Sequence, residues 1–171
     1  MNILYLALYY GLARFLPSSS ACSVCVKLRR YLINKIFYYA GSNVNIAQGV
    51  VFGRGGKISI GNNSGIGEGS RLVAMESIII GDDVMIAPEV LMLTGGHKYD
   101  DPNLFLREHE SLTAPIKIGS DCWIGARAII LPGVAVCNRV IIAAGSVVTK
   151  SITESGIYGG NPAKKIKDIP K

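Results

Sequence analysis

The stretch IGSDCWIGARAIILPGVAVCNRVIIAAGSVVTK, residues 118–150, carries a branched aliphatic side chain at every sixth position. These positions are Ile118, Ile124, Ile130, Val136, Ile142 and Val148. The residues four positions after each of them are small or apolar, namely Cys122, Ala128, Val134, Val140, Ser146 and Ile152. A period of six fits neither an α-helix nor a simple array of hairpins. It indicates a coil of short strands in which three hexads complete one turn of a triangular prism.

The same period extends toward the N-terminus in shorter runs. These are Val44 and Val50; Ile60, Ile66 and Leu72; and Ile80, Ile86 and Met92. Each aliphatic residue is expected to point inward and stack on its counterpart one coil away. Glycines and the pairs in "GNN" and "GDD" are expected at the corners, where they allow the backbone angles of a tight turn. The pattern predicts an all-β fold from about residue 42 onward.

Residues 1–40 differ from the repeat, since they hold eight of the 13 aromatic residues. Residues 2–16 are predicted to form a helix that ends at Pro17 and Ser18–Ser20, and residues 22–41 a second helix that ends at Gly41. The first helix is apolar nearly all round but shorter than the roughly 20 residues that span a bilayer. The pair is interpreted as a helical cap or an oligomer contact. The alternative is an interfacial helix pair on an anionic membrane surface.

The net charge and the cysteines say less about the function than the repeat does. The net charge is +6, with no Asp or Glu before Glu68 and a second basic group of Lys150, Lys164, Lys165, Lys167 and Lys171. Basic clusters attract phosphate, but charge alone does not choose among nucleic acid, lipid headgroup and nucleotide cofactor. The four cysteines are Cys22, Cys25, Cys122 and Cys137. They are predicted to be ordinary thiols, which suits a reducing cytoplasm. No cleavable signal peptide is evident.

Residues 42–169 resemble the hexapeptide-repeat acyltransferases, most specifically in residues 118–150 and in "GGNPAKKIK", residues 159–167. The chain is similar to the branch of maltose, galactoside and capsular-polysaccharide O-acetyltransferases. The resemblance implies a left-handed parallel β-helix, a homotrimer with active sites between subunits, and acetyl-coenzyme A as donor. "CNRV", residues 137–140, departs from the family's Ile-Gly-Asp/Asn start of a hexad. This departure is expected to alter a turn rather than the core.

The predicted organisation is a helical region at 1–41 and a left-handed β-helix acyltransferase domain at 42–171. That domain includes an excursion loop at about 95–115 and a C-terminal tail. The hexads stop after Met92 and resume at Ile118. Long aperiodic excursions in compact folds are usually functional.

His97 stands at the entry of that excursion, in "MLTGGHKYDD", residues 92–101. Acyl transfer to a hydroxyl needs a base, and histidine titrates near neutrality. In the resembled family, a histidine after an aliphatic-Thr-x-x pattern has that role, and "LTGGH" matches it. The resemblance therefore implies that His97 is the general base; without it, a surface histidine would be the simpler interpretation. His109, in "REHES", lacks this context and is expected on the loop flank, facing solvent, the alternative being contact with substrate.

The resemblance also implies the rest of the site. Trp123 would wall the active site beside the histidine of a neighbouring subunit, or serve the trimer contact as a corner residue. The backbone at Ala126 and Ala144 would meet the pantetheine arm of coenzyme A, and Thr149 and Lys150 would lie near its nucleotide. Lys164 and Lys167 would pair with its phosphates, the alternative being a solvated tail. No nucleophilic Ser or Cys motif is present, so direct attack is favoured over an acyl-enzyme. No metal is expected.

These observations predict an acetyl-coenzyme A-dependent O-acetyltransferase acting on a sugar hydroxyl of a surface polysaccharide or its precursor. Three further functions stay open: a serine O-acetyltransferase, a sugar N-acetyltransferase and a non-catalytic β-helix scaffold. A serine acetyltransferase usually has a larger helical N-terminal domain. The expected partners are a saccharide acceptor and two further copies of the chain, with no nucleic acid. The expected location is the cytoplasm, at the inner face of the membrane if residues 1–40 bind there.

Overall fold

The computed structural model describes residues 3–17 and 21–170 of the chain. Its N-terminal part consists of helix α1 (Ile3–Gly11), a 3-10 turn (Ala13–Phe15) and helix α2 (Ser23–Ile36). A second 3-10 turn lies at Leu106–Glu108. The strands are β1 (Tyr39–Ala40), β2 (Asn45–Ile46), β3 (Ile58–Ile60), β4 (Gly65–Ile66), β5 (Arg71–Val73), β6 (Ile78–Ile80), β7 (Met85–Ile86), β8 (Leu91–Leu93), β9 (Gly95–His97), β10 (Ser111–Thr113), β11 (Ile116–Ile118), β12 (Trp123–Ile124), β13 (Ile129–Ile130), β14 (Ala135–Val136), β15 (Val140–Ile142), β16 (Val147–Val148), β17 (Gly156–Gly160) and β18 (Ala163–Lys167).

The short strands stack into three parallel sheets, which are the faces of a prism. The first face holds β2, β4, β7, β12, β15 and β17, the second β5, β8, β13 and β16, and the third β1, β3, β6, β11 and β14. The chain visits first, second and third face in that order and turns at a corner between each two. The result is a parallel β-helix of about six turns, so the predicted fold class is confirmed. β18 folds back antiparallel onto β17 at the C-terminal end.

Stacked aliphatic side chains fill the prism. On the first face, Ile66 pairs with Ile86, Ile86 with Ile124, and Ile124 with Ile142. All four are at most 5% exposed. Burying one such side chain stabilises a fold by about 1.5–3 kcal/mol, so a continuous stack accounts for a rigid scaffold.

The coils have two lengths. Asn45 pairs with Gly65, twenty residues later, whereas Trp123 pairs with Ile141, eighteen residues later. Three hexads account for the later coils, and the earlier ones hold two more residues. The extra residues lie at the corner between the second and third faces, after β5. One coil later, the excursion at 95–115 starts from the same corner.

Corner residues take left-handed backbone angles, as the glycines and Asn/Asp pairs predicted. Asn63 and Asp83 have φ of 54° and 56° at the corner between the third and first faces. In "CNRV" the equivalent position is Arg139, with φ of 60°. Val136 and Val140 on either side of it stay buried. The departure therefore changes a turn and leaves the core intact.

The N-terminal helices close the first end of the prism. The ring of Phe52 lies 4.6 Å from that of Tyr9 and 4.9 Å from that of Phe37. Arg29 of α2 is fully buried and donates to the carbonyls of Ile46, Ala13, Leu16 and Pro17. Burial lowers the pKa of its guanidinium. By charge alone Arg29 belongs with the basic residues that attract phosphate, but in the structure it is a buried clamp.

Both predicted helices are too long. The first ends at Gly11 and continues as the 3-10 turn, and Ser18–Ser20, predicted to end it, lie outside the described residues. The second ends at Ile36, because Phe37 takes an extended backbone angle and Tyr39–Ala40 pairs with β3. β1 thus already belongs to the third face, although the predicted domain boundary lies at 41/42. Within residues 3–17 and 21–170, no helix combines the length and the apolar character needed to cross a membrane.

The prediction of ordinary thiols is wrong for one pair, because Cys22 and Cys25 form a disulfide. Cys22 is the N-cap of α2 and Cys25 lies in the first turn, so the backbone brings both side chains to the same end of the helix. Their Cα atoms lie 5.3 Å apart, within the range for disulfides. Cys122 and Cys137 are free. The prediction of a cytoplasmic location loses the support that it drew from four free thiols.

Candidate active site

The predicted excursion loop begins and ends as a β-hairpin. β9 and β10 pair antiparallel, with His97 opposite Ser111 and Gly95 opposite Thr113. The hairpin starts at the corner between the second and third faces. Residues 98–110 connect its two strands at the end that lies away from the prism. His97 is therefore held on a strand at the edge of the prism rather than on an irregular loop.

Buried contacts hold the base of the hairpin. The Thr94 hydroxyl is buried, donates to the Val73 carbonyl at 3.0 Å and accepts from the Glu76 N–H at 2.8 Å. A Cβ at Gly95 would collide with the sulfur of Met75. Thr94 and Gly95 of "LTGGH" thus lock the strand against the extra residues of the previous coil. Sequence reasoning used Thr94 only as part of a motif and missed Met75, although the lapse in hexads after Leu72 marked this segment.

The His97 side chain is exposed, and its Nδ1 lies 3.5 Å from the carbonyl oxygen of His109. At this distance the contact is a long hydrogen bond, in which Nδ1 would be the donor because a carbonyl oxygen can only accept. With the proton on Nδ1, the Nε2 of a neutral ring keeps a free lone pair that points away from His109. An imidazole in that tautomer can accept a proton from a bound hydroxyl group.

His109 was expected to face solvent, and this prediction is wrong. Its side chain is buried, with Nδ1 3.8 Å from a carboxylate oxygen of Asp100. Lys98 and Glu110, next to the hairpin strands, form an exposed ion pair at 2.7 Å across the base of this segment. That hydrogen bond raises the pKa of Lys98 and lowers the pKa of Glu110. His109 supports the hairpin, and its carbonyl orients His97.

Trp123 lies on the first face, where it pairs with Met85 on one side and Ile141 on the other. Its side chain is 48% exposed. It lines a shallow cavity of about 220 Å³ with residues that include Asp83, Met85 and Arg139. The hairpin that carries His97, by contrast, leaves the prism at the corner between the second and third faces. A single chain therefore does not bring Trp123 and His97 together.

Ala126 and Ala144 line one cavity of about 560 Å³ at the corner between the first and second faces. Pro88, Glu89, Arg127 and Gly145 complete its lining. The Gly145 N–H donates to the Ala126 carbonyl at 2.8 Å, which holds the two corner turns one above the other. The small alanine side chains leave room for a slender chain against the backbone.

The strand pair β17–β18 continues this corner at the C-terminal end, where the Gly160 N–H donates to the Ser146 hydroxyl at 3.2 Å. On β18, Lys165 pairs with Glu154 at 3.2 Å and Asp168 at 2.8 Å, and these partners raise its pKa to about 12. Lys164 and Lys167 are exposed and have no ion pair within the described residues. They are the cations of this strand that are available to a phosphate.

Thr149 and Lys150 follow β16 at the corner between the second and third faces, so they are not part of the alanine cavity. They share that corner with the hairpin of His97, two coils away. The predicted site residues thus fall into two groups on either side of the second face. The first group is His97, Thr149 and Lys150; the second is Trp123, Ala126, Ala144, Lys164 and Lys167. Within residues 3–17 and 21–170, no cluster of three or more His, Cys, Asp or Glu side chains is placed to hold a metal ion.

Comparison with known proteins places this geometry among enzymes. Residues 57–87 and 115–150 match the family described as hexapeptide repeat of succinyl-transferase. The galactoside O-acetyltransferase of Escherichia coli (strain K12) is 35% identical over 145 residues, which cover 84% of this chain and 70% of that protein. The "Putative lipopolysaccharide biosynthesis O-acetyl transferase WbbJ" of the same organism is 33% identical over 123 residues, 68% of this chain and 62% of that protein.

A solved structure extends the similarity to the whole described fold. The structure of a galactoside acetyltransferase in complex with coenzyme A superposes with a TM-score of 0.84 at 32% sequence identity. The superposition covers 98% of this chain and 80% of that one. The N-terminal helices are therefore included in the similarity, together with the coils and the hairpin.

Proposed function

The chain belongs to the hexapeptide-repeat family of acetyltransferases, and from that premise we propose that it acetylates a sugar hydroxyl of a surface polysaccharide or its precursor. It is an acyltransferase, and acetyl-coenzyme A is its co-substrate. The observation that carries the proposal is the position of His97, whose exposed imidazole is held on β9 at the edge of the prism with Nδ1 beside the His109 carbonyl.

In the proposed reaction, Nε2 of His97 accepts the proton of the sugar hydroxyl as its oxygen attacks the thioester carbonyl. The C–O bond forms, the C–S bond breaks, and the thiolate of coenzyme A takes up a proton.

The hairpin also offers a donor to the oxyanion. In its ladder of hydrogen bonds, the Ala114 N–H donates to the Thr94 carbonyl and the Lys98 N–H donates to the Glu110 carbonyl. Antiparallel pairs alternate between bonded and non-bonded positions, so the N–H of Gly95 is directed out of the ladder. It is our candidate donor to the developing oxyanion.

The division of the site residues into two groups supports an active site between two chains. His97 of one subunit would face Trp123 and the alanine cavity of the next, as the resemblance implies. Each prism offers one edge of each kind, so these contacts run head to tail, and a closed ring of three of them is the homotrimer that the resemblance implies. Half-exposed Trp123 on the first face is apolar surface of the type that such contacts cover.

The alanine cavity and β18 fit coenzyme A. A pantetheine arm is slender and carries amides, and the corner at Ala126 and Ala144 offers backbone groups with only methyl side chains in the way. The free ammonium groups of Lys164 and Lys167 suit phosphates as charge-assisted donors. In the two-chain arrangement, Thr149 and Lys150 would come from the other subunit.

A direct test combines two measurements on the purified protein. Release of the coenzyme A thiol is followed with a thiol dye in the presence of maltose, galactosides, amino sugars or serine, and the products are then treated with mild alkali. We expect thiol release with sugar hydroxyl acceptors and alkali-labile products, since esters hydrolyse and amides do not. Alkali-stable products would favour sugar N-acetylation. Transfer to serine alone would indicate a serine O-acetyltransferase, and absence of any transfer would indicate a non-catalytic scaffold.

We further propose that the protein works at a membrane surface. α1 exposes Ile3, Leu4 and Leu8, each by at least 42%, and the segment after it exposes Leu12 by 53% and Phe15 by 63%. No acidic residue precedes Glu68, so the surroundings are basic. Apolar side chains within a basic region match an anionic lipid surface. Sedimentation with phosphatidylglycerol vesicles, absent with phosphatidylcholine and lost in Leu8→Glu, would support this location; equal recovery with both lipids would contradict it.

A further inference from the structure

A groove between α2 and the first face lies outside the residues assigned to catalysis and coenzyme A. It has a volume of about 650 Å³. Its floor is formed by outward residues of β2, β4 and β7, and α2 forms its wall with Lys27 and Arg30. Asn43 and Asn63 contribute polar side chains, whereas the Ser64 hydroxyl is buried and donates to the Gly81 carbonyl. The groove thus combines polar groups along α2 and the corner with an apolar floor that includes Ile66 and Met85, a lining that can contact both the hydroxyl groups and the apolar faces of sugar rings.

The groove leads directly to Trp123. Asn45, Gly65, Met85 and Trp123 are consecutive partners across the first face. Neighbouring strands lie about 4.8 Å apart, so the row from Trp123 to Asn45 spans roughly 14 Å. An acceptor whose reacting hydroxyl lies beside Trp123 therefore reaches Lys27 and Arg30 only if it extends beyond one sugar unit.

Arg30 is fixed in a position that leaves part of its guanidinium for a ligand. Its Nε donates to the Val44 carbonyl at 2.7 Å and its Nη2 to Asn43 Oδ1 at 3.1 Å. These contacts use one edge of the group, and Nη1 has no partner within the described residues. A prepositioned guanidinium loses little side-chain entropy when it binds an anion.

The charged residues that line the groove are all positive, and they lie at its α2 end. Lys27 is exposed and has no ion pair within the described residues. None of the groove's lining residues is acidic. Asp83, on the next coil of the same corner, accepts from Asn63 at 3.0 Å and keeps its charge, whereas Asp121 pairs with Arg139. Within the described residues neither carboxylate forms an ion pair with Lys27 or Arg30, so the two cations attract an anionic ligand.

We propose that the acceptor is an anionic saccharide of more than one unit, whose negative group binds Lys27 and Arg30 while the reacting hydroxyl lies at Trp123. This inference rests on the proposed function and specifies the substrate class. The negative group is a carboxylate of an acidic sugar or the diphosphate that joins a saccharide to a lipid carrier. Both are planar or tetrahedral oxyanions that accept hydrogen bonds from a guanidinium and an ammonium group.

Titration calorimetry on the full-length protein tests the inference with three probes: trigalacturonate, glucose linked through diphosphate to geraniol, and neutral maltotriose. We expect at least one anionic probe to bind roughly tenfold more tightly than maltotriose at low salt, with weaker binding as NaCl is raised. Preference for trigalacturonate would assign the carboxylate, and preference for the diphosphate probe the lipid-linked precursor. Equal affinity for all three probes would overturn the proposal.

Variants of α2 locate the binding. Lys27→Glu should weaken the preferred anionic probe about tenfold, and Arg30→Gln should weaken it by a similar factor with its fold checked by thermal unfolding. Lys35→Glu is the matched control, because Lys35 lies on the same helix outside the groove. An equal loss in Lys35→Glu would show general electrostatic attraction and would contradict the groove.

Coenzyme A binding by the wild-type protein separates this test from the proposed function. Loss of the groove preference with intact coenzyme A binding would refute the substrate class alone. Absence of coenzyme A binding would refute the acetyltransferase site, whatever the saccharide probes show.

Discussion

His97 is the side chain on which the proposed chemistry depends most. His97→Ala should lower kcat by roughly 10²–10⁴, the usual share of a positioned general base. Coenzyme A binding and the thermal unfolding temperature should stay near wild type, since the side chain is exposed and contacts only a carbonyl oxygen. Steady-state thiol release gives kcat, and calorimetry gives the affinity for coenzyme A.

Tyr99→Ala is the control for His97→Ala, because Tyr99 is 83% exposed in the same excursion. Its rate should stay within a few-fold of wild type. A His97→Ala variant that kept the wild-type rate would contradict the role of His97.

Lys164 and Lys167 give a second residue-scale prediction. The double variant Lys164→Ala, Lys167→Ala should weaken coenzyme A by about tenfold and weaken dephospho-coenzyme A less, because the missing 3′-phosphate no longer contributes. Lys165→Ala is the matched control, since its ammonium group is already taken by Glu154 and Asp168. Equal losses for both ligands would show that the two lysines do not contact that phosphate.

For single residues, the sequence predicted which side chains are candidates for the site better than it predicted whether a side chain is buried or exposed. "LTGGH" selected His97, but nothing local in "REHES" shows that the hairpin folds over His109 and buries it. Likewise Arg29 and Arg30 are adjacent basic residues in the sequence. Only the docking of α2 decides that Arg29 is buried against four carbonyls and that Arg30 borders the groove.

At the scale of elements, the hairpin β9–β10 depends on the absence of a side chain at Gly95. Gly95→Ala should destabilise the fold by about 1 kcal/mol or less, because the half-exposed Met75 side chain must move to make room for the new methyl group. Displacement of β9 also moves His97, so kcat should fall by up to roughly 10²-fold. Urea unfolding and thiol release measure the two effects.

Gly96→Ala is the matched control for Gly95→Ala, because a Cβ at Gly96 meets no heavy atom within 4 Å. It should resemble wild type in both measurements. Adding Met75→Ala to Gly95→Ala should restore part of the activity by removing the sulfur. A Gly95→Ala variant as active and stable as Gly96→Ala would contradict the proposed lock.

Helix α2 is tied to the prism by Arg29. Arg29→Met should lower the free energy of unfolding by about 3 kcal/mol or more, because it leaves four buried or partly buried carbonyls without their donor. Lys35→Met on the exposed side of the same helix should change it by less than about 0.5 kcal/mol. Equal urea midpoints for the two variants would contradict the clamp.

The strands of the repeat could be predicted from the sequence, whereas the ends of the helices and the disulfide, which lie outside the repeat, could not. Ile118 to Val148 set the later coils, because a strict period leaves one arrangement that buries every aliphatic residue. The predicted end of α2 is wrong, since "IFYYAG" continues an apolar pattern and only the pairing of Tyr39–Ala40 with β3 ends the helix. The disulfide depends on the start of α2 between Cys22 and Cys25, which the sequence pattern places one residue too early.

At the scale of the whole molecule, the proposed site joins the His97 group of one chain to the alanine cavity of its neighbour. With the three-fold ring that the resemblance implies, the protein should be a trimer of about 55 kDa, three times the 18.3 kDa of one chain. Multi-angle light scattering at working concentrations measures this mass. A monomer that turned over acetyl-coenzyme A at the full rate would contradict an active site built between subunits.

Subunit complementation tests the central claim most directly. His97→Ala removes one half-site, and Ala144→Trp fills the alanine cavity of the other, so each variant alone should be nearly inactive. Co-assembled in equal amounts, roughly three quarters of random trimers are mixed and each rebuilds one of its three sites, which predicts about a quarter of the wild-type rate. Recovery of that activity would place His97 and the coenzyme A cavity of each site on different chains. Mixed trimers as inactive as the parent variants would contradict this arrangement.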